Sequence, residues 1–252
     1  MGAEGYSNEK GMIEALDGKK YRSLPPNLQE VVSGCLGFKP GDDAAISAEL
    51  AEQGGKPDIV VSICGKKLYV SIKSGHGNSV HQEPVEDMIN YFDQIGGSPG
   101  IAKALRLFIW GDGTENGTGH RDARMSVKDV ISKYPDETKL LREFLENHKR
   151  ELITRFIKTG GHGGISAEFI YYGTPEEGYC ASADSVINFL CDSHRQGSAM
   201  PVGGLSMQAW NRAISSAKSD QKRGNVQLKW PNIEKDIQEI TRGSGTSATW
   251  AL

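Results

Sequence analysis

The feature that most constrains this chain is a pair of short β-branched runs, residues 58–64 and 68–73, joined by a turn that contains Gly65. Two such runs with a short glycine-containing connection predict an antiparallel β-hairpin. In a hairpin, the start of the first strand and the end of the second strand lie side by side. The pattern therefore places Asp58, which opens the first run, beside Lys73, which closes the second run.

Side-chain alternation along the second strand predicts what accompanies these two charges. Ser71 and Lys73 are two residues apart and share one face, whereas Ile72 points into the core. One end of the sheet then presents a carboxylate, a hydroxyl and an ammonium. Metal-assisted phosphodiester hydrolysis needs such groups, because a carboxylate holds Mg²⁺ and a lysine steers or stabilises the attacking hydroxide.

A single carboxylate is thin support for a metal ion, so a second acidic residue is expected nearby. Ser79 and Gln82 fit a helix capping box, which predicts a helix whose first turns contain Glu83 and Glu86. The glycine-containing loop after Lys73 allows the start of this helix to face the end of the hairpin. The candidates for the second acid in this segment are Glu83, Glu86 and Asp87.

The elements around the hairpin predict an α/β core. Apolar residues at helical spacing indicate helices at residues 8–18 and 25–36 and a long helix over residues 136–158. The apolar run at residues 104–110 predicts a third strand. Together these elements predict a central mixed β-sheet flanked by helices, occupying residues 1–160.

This order of helix, hairpin, loop, acidic segment and further strand resembles the PD-(D/E)XK nuclease superfamily, which includes many type II restriction endonucleases. The resemblance covers residues 8–112, and its motif is Pro57-Asp58 followed by Ser71-Ile72-Lys73. The usual acidic residue two positions before the lysine is Ser71 here. Some restriction enzymes of this superfamily show the same departure and take the missing glutamate from the following helix.

The resemblance implies a restriction-endonuclease-like fold and a Mg²⁺-dependent DNA endonuclease, acting as a sequence-specific type II restriction enzyme. It implies that Asp58 is a metal ligand and that Lys73 is the catalytic lysine. Glu83 would be the migrated acid and a second metal ligand, with Glu86 as the alternative. The backbone carbonyl of Ile72 would complete the metal's shell. Ser71 belongs to the same catalytic group.

Two questions stay open at this point. Many members of the superfamily carry an acidic residue on an N-terminal helix, for which Glu9 and Glu14 are the candidates, and the sequence does not choose between them. Ser71 at the usual acidic position also leaves a rival interpretation, a catalytically inactive nuclease-fold module that binds DNA or a partner.

The chain beyond residue 160 differs in character, and we expect residues 161–252 to form an α+β lobe that recognises DNA. Short strands are predicted at residues 169–172 and 226–230, and a helix at residues 183–190. Residues 195–229 hold six basic residues and one acidic residue, in a chain whose formal net charge is −3. Such a segment suits phosphate contacts. The residues expected to contact DNA are His81, Asn78, Gln208, Arg212, Arg223 and Lys229.

Composition bears on cellular context and assembly. No stretch is long and apolar enough for a membrane span, and the N-terminus lacks the basic and apolar pattern of a signal peptide. The four cysteines are far apart without a C-x-x-C pair, which favours reduced thiols over a zinc site. We therefore expect a cytoplasmic protein. It would act on double-stranded DNA as a homodimer, because cutting two strands requires two sites.

Overall fold

The computed structural model of this protein describes residues 3–75, 78–161 and 163–243. The chain divides into two compact units, each built from segments that are distant in sequence. The first unit comprises Met1–Asn78, Ile157–Phe189 and Asn232–Leu252. The second unit comprises Ser79–Phe156 and Leu190–Pro231. Each unit therefore contains residues from both sides of position 160.

The described residues form nine α-helices and nine β-strands. The helices are α1 (Ala3–Leu16), α2 (Pro26–Leu36), α3 (Val85–Gln94), α4 (Pro99–Trp110), α5 (Val127–Lys133), α6 (Pro135–Asn147), α7 (Lys149–Thr154), α8 (Ala183–Asp192) and α9 (Ile233–Gly243). The strands are β1 (Ile46–Leu50), β2 (Ile59–Ile63), β3 (Lys66–Lys73), β4 (Ser79–Pro84), β5 (Phe169–Gly173), β6 (Gly178–Ser182), β7 (Pro201–Val202), β8 (Leu205–Ala209) and β9 (Asn225–Lys229). None of the helices in these parts of the chain is long and apolar enough to cross a membrane.

The first unit is built on a five-stranded sheet in the order β1-β2-β3-β5-β6. Strands β3 and β5 run parallel and the other neighbours run antiparallel, so the sheet is mixed. Helix α1 packs against β1, β2 and β3, while α2 and α9 pack against β6. The predicted central mixed sheet flanked by helices is confirmed.

The hairpin in this sheet is the one that the sequence predicts. Strands β2 and β3 pair antiparallel, with Ile59 opposite Val70. The turn residues Cys64 and Gly65 have φ values of 52° and 74°, the positive values that a two-residue type I′ hairpin turn requires. Inward side chains of the hairpin join those of α1 and α2 in one apolar core, which includes Met12, Leu16, Leu28, Val32, Ile59, Val61, Leu68, Val70 and Ile72.

The second unit contains a four-stranded antiparallel sheet in the order β4-β9-β8-β7. One face of this sheet is apolar, because Leu205, Met207, Val226 and Leu228 are all fully or almost fully buried. Helix α3 contacts β4 and β9, α4 contacts β8, and α6 contacts β7. The sequence predicts strands at residues 169–172 and 226–230 and a helix at residues 183–190. Strands β5 and β9 and helix α8 confirm these three elements.

The predicted third strand at residues 104–110 is wrong, because these residues form the second half of α4. Ser98 caps this helix by accepting a hydrogen bond from the backbone N–H of Ile101. Leu105, Leu107, Phe108 and Ile109 are all buried. A helix that is buried nearly all round shows a continuous apolar run, which periodicity cannot distinguish from a buried strand.

The predicted helix start at Ser79 is also wrong. Residues Ser79–Pro84 form strand β4, and α3 begins at Val85. Gln82 Nε2 does donate a hydrogen bond to Ser79 Oγ at 2.9 Å, but the two side chains meet on an irregular strand with a register shift between Ser79 and His81. Pairing of β4 with β9 outweighs the local capping preference, as tertiary context often does.

The long helix predicted over residues 136–158 is interrupted. Helix α6 ends at Asn147, α7 follows, and a π-helical turn covers Arg155–Thr159. His148 separates α6 from α7 with φ and ψ of −110° and 20°, which lie outside α-helical geometry. The helical spacing of apolar residues continues across the break at His148, so the sequence pattern does not show that the helix is interrupted there.

The loop after α4 is folded around the buried side chain of Asp112. Asp112 Oδ1 accepts hydrogen bonds from the backbone N–H and the Oγ1 of Thr114, at 3.0 and 2.8 Å. The N–H of Gly119 donates to Oδ2 at 3.1 Å, and Arg223 donates to Oδ2 at 2.8 Å. The Arg223 guanidinium also lies over the ring of Trp110. This buried ion pair ties the loop to the segment that precedes β9.

We expect Asp112→Asn to lower the free energy of unfolding by about 3 kcal/mol at pH 7, because Arg223 keeps a buried charge without its partner. Burial opposes ionisation of Asp112, but the bonds from Thr114 and Arg223 outweigh it and lower its pKa. The extra stability of wild type over Asp112→Asn is therefore fully present above the pKa of Asp112 in the unfolded chain, about pH 4. It is lost as pH falls through the lower pKa of Asp112 in the folded protein.

Urea unfolding at pH 7 and at acidic pH measures this difference. Asp122→Asn is the matched control, since its side chain is 90% exposed in the neighbouring segment, and we expect it to change stability by less than about 0.5 kcal/mol. Equal stabilities of Asp112→Asn and wild type at pH 7 would show that the buried pair does not hold the loop.

Candidate active site

The end of the hairpin holds Asp58 in a fixed position against β3. The backbone N–H of Asp58 donates to the carbonyl of Val70 at 2.8 Å. Its Oδ2 accepts hydrogen bonds from Ser71 Oγ at 2.9 Å and from the backbone N–H of Ile72 at 2.6 Å. Lys73 Nζ lies 3.3 Å from the same oxygen. The structure thus brings together the residues that the sequence selects from the two ends of the hairpin.

Ser71 connects the two charged groups. Its side chain is fully buried, and its Oγ accepts a hydrogen bond from Lys73 Nζ at 2.8 Å while donating to Asp58. Lys73 Nζ also donates to the carbonyl of Ile72 at 2.9 Å. The side chains of Asp58 and Lys73 keep 18% and 19% of their surface exposed, so a ligand can reach both groups.

The N-terminal helix supplies a second carboxyl group to this cluster, that of Glu9. Glu9, Met12 and Leu16 recur at helical spacing on the buried side of α1, and Glu9 is only 6% exposed. Burial and the nearby charge of Asp58 raise the pKa of Glu9, and the Lys73 ammonium opposes this rise. Glu14 is exposed on the other side of the helix. Of the two candidates on α1, Glu9 is therefore the one that belongs to the site.

The spacing in the sequence already contained this information. Glu9 stands three positions before Met12 and seven before Leu16, so it continues the apolar stripe of the predicted helix. Burying an acidic side chain among apolar residues removes it from water, which costs free energy. That cost marks Glu9 as a candidate, although the hairpin alone gave no reason to prefer it to Glu14.

The donor atoms fit a divalent cation. No described residue donates a hydrogen bond to Asp58 Oδ1 or to the Glu9 carboxyl, so both keep lone pairs for a ligand. Across the described ranges there is no cluster of three or more His, Cys, Asp and Glu side chains suited to a metal. An ion here would rest on two carboxylates, the Ile72 carbonyl and water, a ligand set that suits Mg²⁺.

Glu83, the predicted second acid, lies on β4 in the second unit and not in the first turn of a helix. Arg155 donates to its Oε2 at 2.8 Å, and His81 Nε2 lies 3.2 Å from the same oxygen. The Arg155 guanidinium lies over the Tyr91 ring at 4.2 Å. Burial alone would raise the pKa of Glu83, but the bonds and charges of His81 and Arg155 outweigh it and lower the pKa.

The alternative acid, Glu86, lies in the first turn of α3. Both of its oxygens accept hydrogen bonds from Arg106, at 2.9 and 2.6 Å, and this pairing lowers its pKa. Glu83 and Glu86 are thus each paired with an arginine of their own unit. The role of Glu83 as metal ligand stays a prediction.

Two of the residues expected to contact DNA are buried within the second unit. Arg212 donates a hydrogen bond to the carbonyl of Phe108 and lies over its ring, and burial lowers the pKa of Arg212 to about 10. Arg223 is held by Asp112, as described above. Both guanidinium groups are engaged in internal contacts, which a count of basic residues along the sequence cannot reveal. Of the other candidates, Asn78, Gln208 and Lys229 are half-buried. The His81 side chain is only 9% exposed and faces Glu83.

Comparison with known proteins bears on the fold. No protein-family model matches the sequence, and the comparison with curated proteins found no match. Among solved structures, the chain is similar to restriction endonuclease MspI in complex with its cognate DNA. The TM-score is 0.57 at 14% sequence identity, over 89% of this chain and 88% of that one. The chain therefore has a restriction-endonuclease-like fold, and at this identity the likeness extends to the fold alone.

We expect Glu9→Gln to raise the free energy of unfolding of the metal-free protein by about 1 kcal/mol at pH 7. The substitution removes a buried carboxylate that lies beside Asp58 and keeps the shape of the side chain. Urea unfolding in EDTA measures the change. Glu14→Gln, on the exposed side of α1, is the control and should differ from wild type by less than about 0.5 kcal/mol. A Glu9→Gln protein that is less stable than wild type would contradict the assigned environment.

Proposed function

We propose that this chain, given its restriction-endonuclease-like fold, is a Mg²⁺-dependent endonuclease that hydrolyses phosphodiester bonds of double-stranded DNA at specific sequences. The observation that carries the proposal is the hydrogen-bonded cluster of Asp58, Ser71 and Lys73 at the end of the central hairpin, with Glu9 beside it. The DNA in the MspI structure supports the choice of DNA as substrate.

In this proposal Asp58 and Glu9 would hold Mg²⁺ together with the carbonyl of Ile72. When bound there, the ion would make a water molecule more acidic and would offset negative charge at the scissile phosphate. The two carboxylates lie in one half-buried site, and bringing like charges together costs free energy unless a cation compensates them. This need for compensation is the physical argument for a metal at this position.

Lys73 supplies the positive charge that the nucleophile and the phosphate require. Its ammonium is held by Ser71 Oγ and the carbonyl of Ile72, so it is already oriented before DNA arrives. An ammonium fixed in this way stabilises an attacking hydroxide and the charge that develops on the phosphate oxygens. Ser71 acts as a positioning residue, because it holds Asp58 and Lys73 and has no charge of its own.

The rival function is a module on the same fold that binds DNA or a partner without cutting. Such a module has no use for Glu9, whose buried carboxyl has no described hydrogen-bond donor and a raised pKa. Proteins retain buried charges of this kind chiefly where function requires them. The cluster therefore favours the enzyme.

The assembly follows from the substrate. Each chain offers one cluster of this kind among its described residues, and cutting both strands of a duplex requires two. We therefore propose a homodimer on double-stranded DNA. The cytoplasmic location inferred from the cysteine pattern stays a prediction.

We expect purified wild-type protein to cut plasmid DNA into discrete fragments with Mg²⁺ and to leave it intact in EDTA. Asp58→Asn and Lys73→Met should each reduce the cleavage rate about 100-fold or more, since each removes a charge that acts on the transition state. Asp43→Asn, an exposed acid of the same unit, should cut like wild type. Cleavage that survives EDTA or the Asp58→Asn substitution would refute the proposed site.

The identity of the second acid is decided by comparing three isosteric variants, Glu9→Gln, Glu83→Gln and Glu86→Gln. We expect Glu9→Gln to lose cleavage while remaining folded, and Glu86→Gln to cut within a few-fold of wild type. Glu83→Gln should act on stability, because it leaves Arg155 buried beside a neutral side chain. A folded, inactive Glu83→Gln together with an active Glu9→Gln would instead make Glu83 the second acid.

A further inference from the structure

The second sheet carries two rows of polar side chains that cross its strands in register. Gln82 on β4 lies opposite Gln227 on β9, which in turn lies opposite Gln208 on β8. A second row contains Ser79, Lys229 and Ser206, which lie opposite one another. It is two residues away from the first row on β8 and β9, and three residues away on β4, across the register shift. Since directly opposed residues of an antiparallel pair share a face, each row lies on one side of the sheet.

Both rows lie on the same face, which is the polar face of the second sheet. Gln227 and Lys229 are two residues apart on β9, and Ser206 and Gln208 are two apart on β8, so alternation points all four in one direction. The intervening Val226, Leu228 and Met207 are buried on the opposite face. The sheet is therefore apolar on one side and lined with amides, hydroxyls and a lysine on the other.

The amides of the row are held in defined orientations. Gln208 Nε2 donates to Gln227 Oε1 at 3.0 Å, and Gln82 Nε2 donates to Ser79 Oγ at 2.9 Å. Each of these donors has a second N–H, and the carbonyl oxygens of Gln82 and Gln208 still have lone pairs. An amide with one donor and one acceptor available side by side matches the N6 and N7 edge of adenine in the major groove.

The exposure and the charge of this face agree with this match. Gln82 is exposed and Gln208 is half-buried, so a ligand can reach both amides, whereas Gln227 lies beneath them at 6% exposure. Lys229 lies in the adjacent row, and none of the described residues forms an ion pair with its ammonium, so it can meet a phosphate. The six side chains of the two rows include no acidic residue that would repel DNA.

We propose that the polar face of the second sheet is the base-reading surface of this protein. In this proposal Gln82 and Gln208 select adenine in the recognition sequence, and the buried Gln227 orients Gln208. This inference rests on the proposed function, because it takes duplex DNA as the ligand. It names the specificity-determining residues for that substrate, which the fold and the active-site cluster leave open.

The test is a binding selection with metal-free protein in EDTA, from a library of duplexes with a randomised centre, followed by sequencing. We expect wild type to select a motif that contains adenine. Gln82→Ala or Gln208→Ala should reduce the preference for adenine at one position by about 5- to 100-fold. Gln94→Ala, an exposed glutamine at the end of α3 in the same unit, should select the wild-type motif.

A further variant gives a change of specificity that misfolding cannot imitate. Gln208→Glu replaces the amide by an acceptor-only carboxylate, which pairs with the N4 amino group of cytosine, so the selected base should change from adenine to cytosine. The inference is overturned if wild type selects no motif or one without adenine, or if the glutamine variants select the same motif as wild type.

Plasmid cleavage with Mg²⁺, run in parallel, separates this inference from the proposed function. Absence of cleavage by wild type counts against the nuclease, whereas the binding selection still decides whether the glutamine row reads bases. Cleavage by wild type at a sequence that Gln82→Ala and Gln208→Ala also prefer counts against the glutamine row and leaves the nuclease standing.

Discussion

The hydrogen bond from the backbone N–H of Ile72 to Asp58 Oδ2, 2.6 Å long, is the contact on which both the fold and the site depend. Strand β2 begins at Ile59, opposite Val70, so β3 continues past the end of its partner. The Asp58 carboxylate takes the place of the missing strand and satisfies the Ile72 N–H. An unsatisfied N–H at this buried position would cost about 1–3 kcal/mol, so the sheet itself fixes the carboxylate.

Charge accumulates around that fixed carboxylate because the fold brings two further elements to the same place. Strand β3 extends by one more residue to Lys73, and α1 crosses β1, β2 and β3 with Glu9 on its buried side. The fully buried Ser71 donates a hydrogen bond to Asp58 and accepts one from Lys73, and these two charged groups also contact each other at 3.3 Å. The cluster then carries one ammonium and two carboxylates, so its net charge is negative. A bound divalent ion would make the net charge positive, which favours binding of a phosphate.

The part of this account that the sequence could supply is the part governed by local rules. The hairpin follows from three local features: side chains that alternate between two faces, β-branched residues in both strands, and a glycine in the turn. The hairpin in turn brings Asp58 next to Lys73. The sequence predicts the wrong element for two segments. Residues 79–84 are held as a strand by pairing with the distant β9, and residues 104–110 belong to a helix that is buried on nearly all sides. In both cases the deciding contacts come from residues far away in the chain.

Side-chain burial limits prediction of function in the same way. Arg212 and Arg223 look like DNA ligands in a sequence, yet each is engaged by an aromatic ring and an acceptor of its own unit. Glu9 continues the apolar stripe of α1, but only the packing of α1 on the sheet shows that Glu9, and not Glu14, lies near Asp58. The Gln82, Gln227 and Gln208 row could not be read from the sequence, because it requires the register of three strands, one of which was predicted as a helix.

The claim most central to this account is that Glu9 and Asp58 share one divalent cation. Binding of Mn²⁺, followed by electron paramagnetic resonance of the free ion, measures this without DNA and without turnover. We expect wild type to bind Mn²⁺ at a site that Glu9→Gln and Asp58→Asn each lose, while Glu83→Gln retains it. Equal binding of Mn²⁺ by wild type and Glu9→Gln would contradict the account.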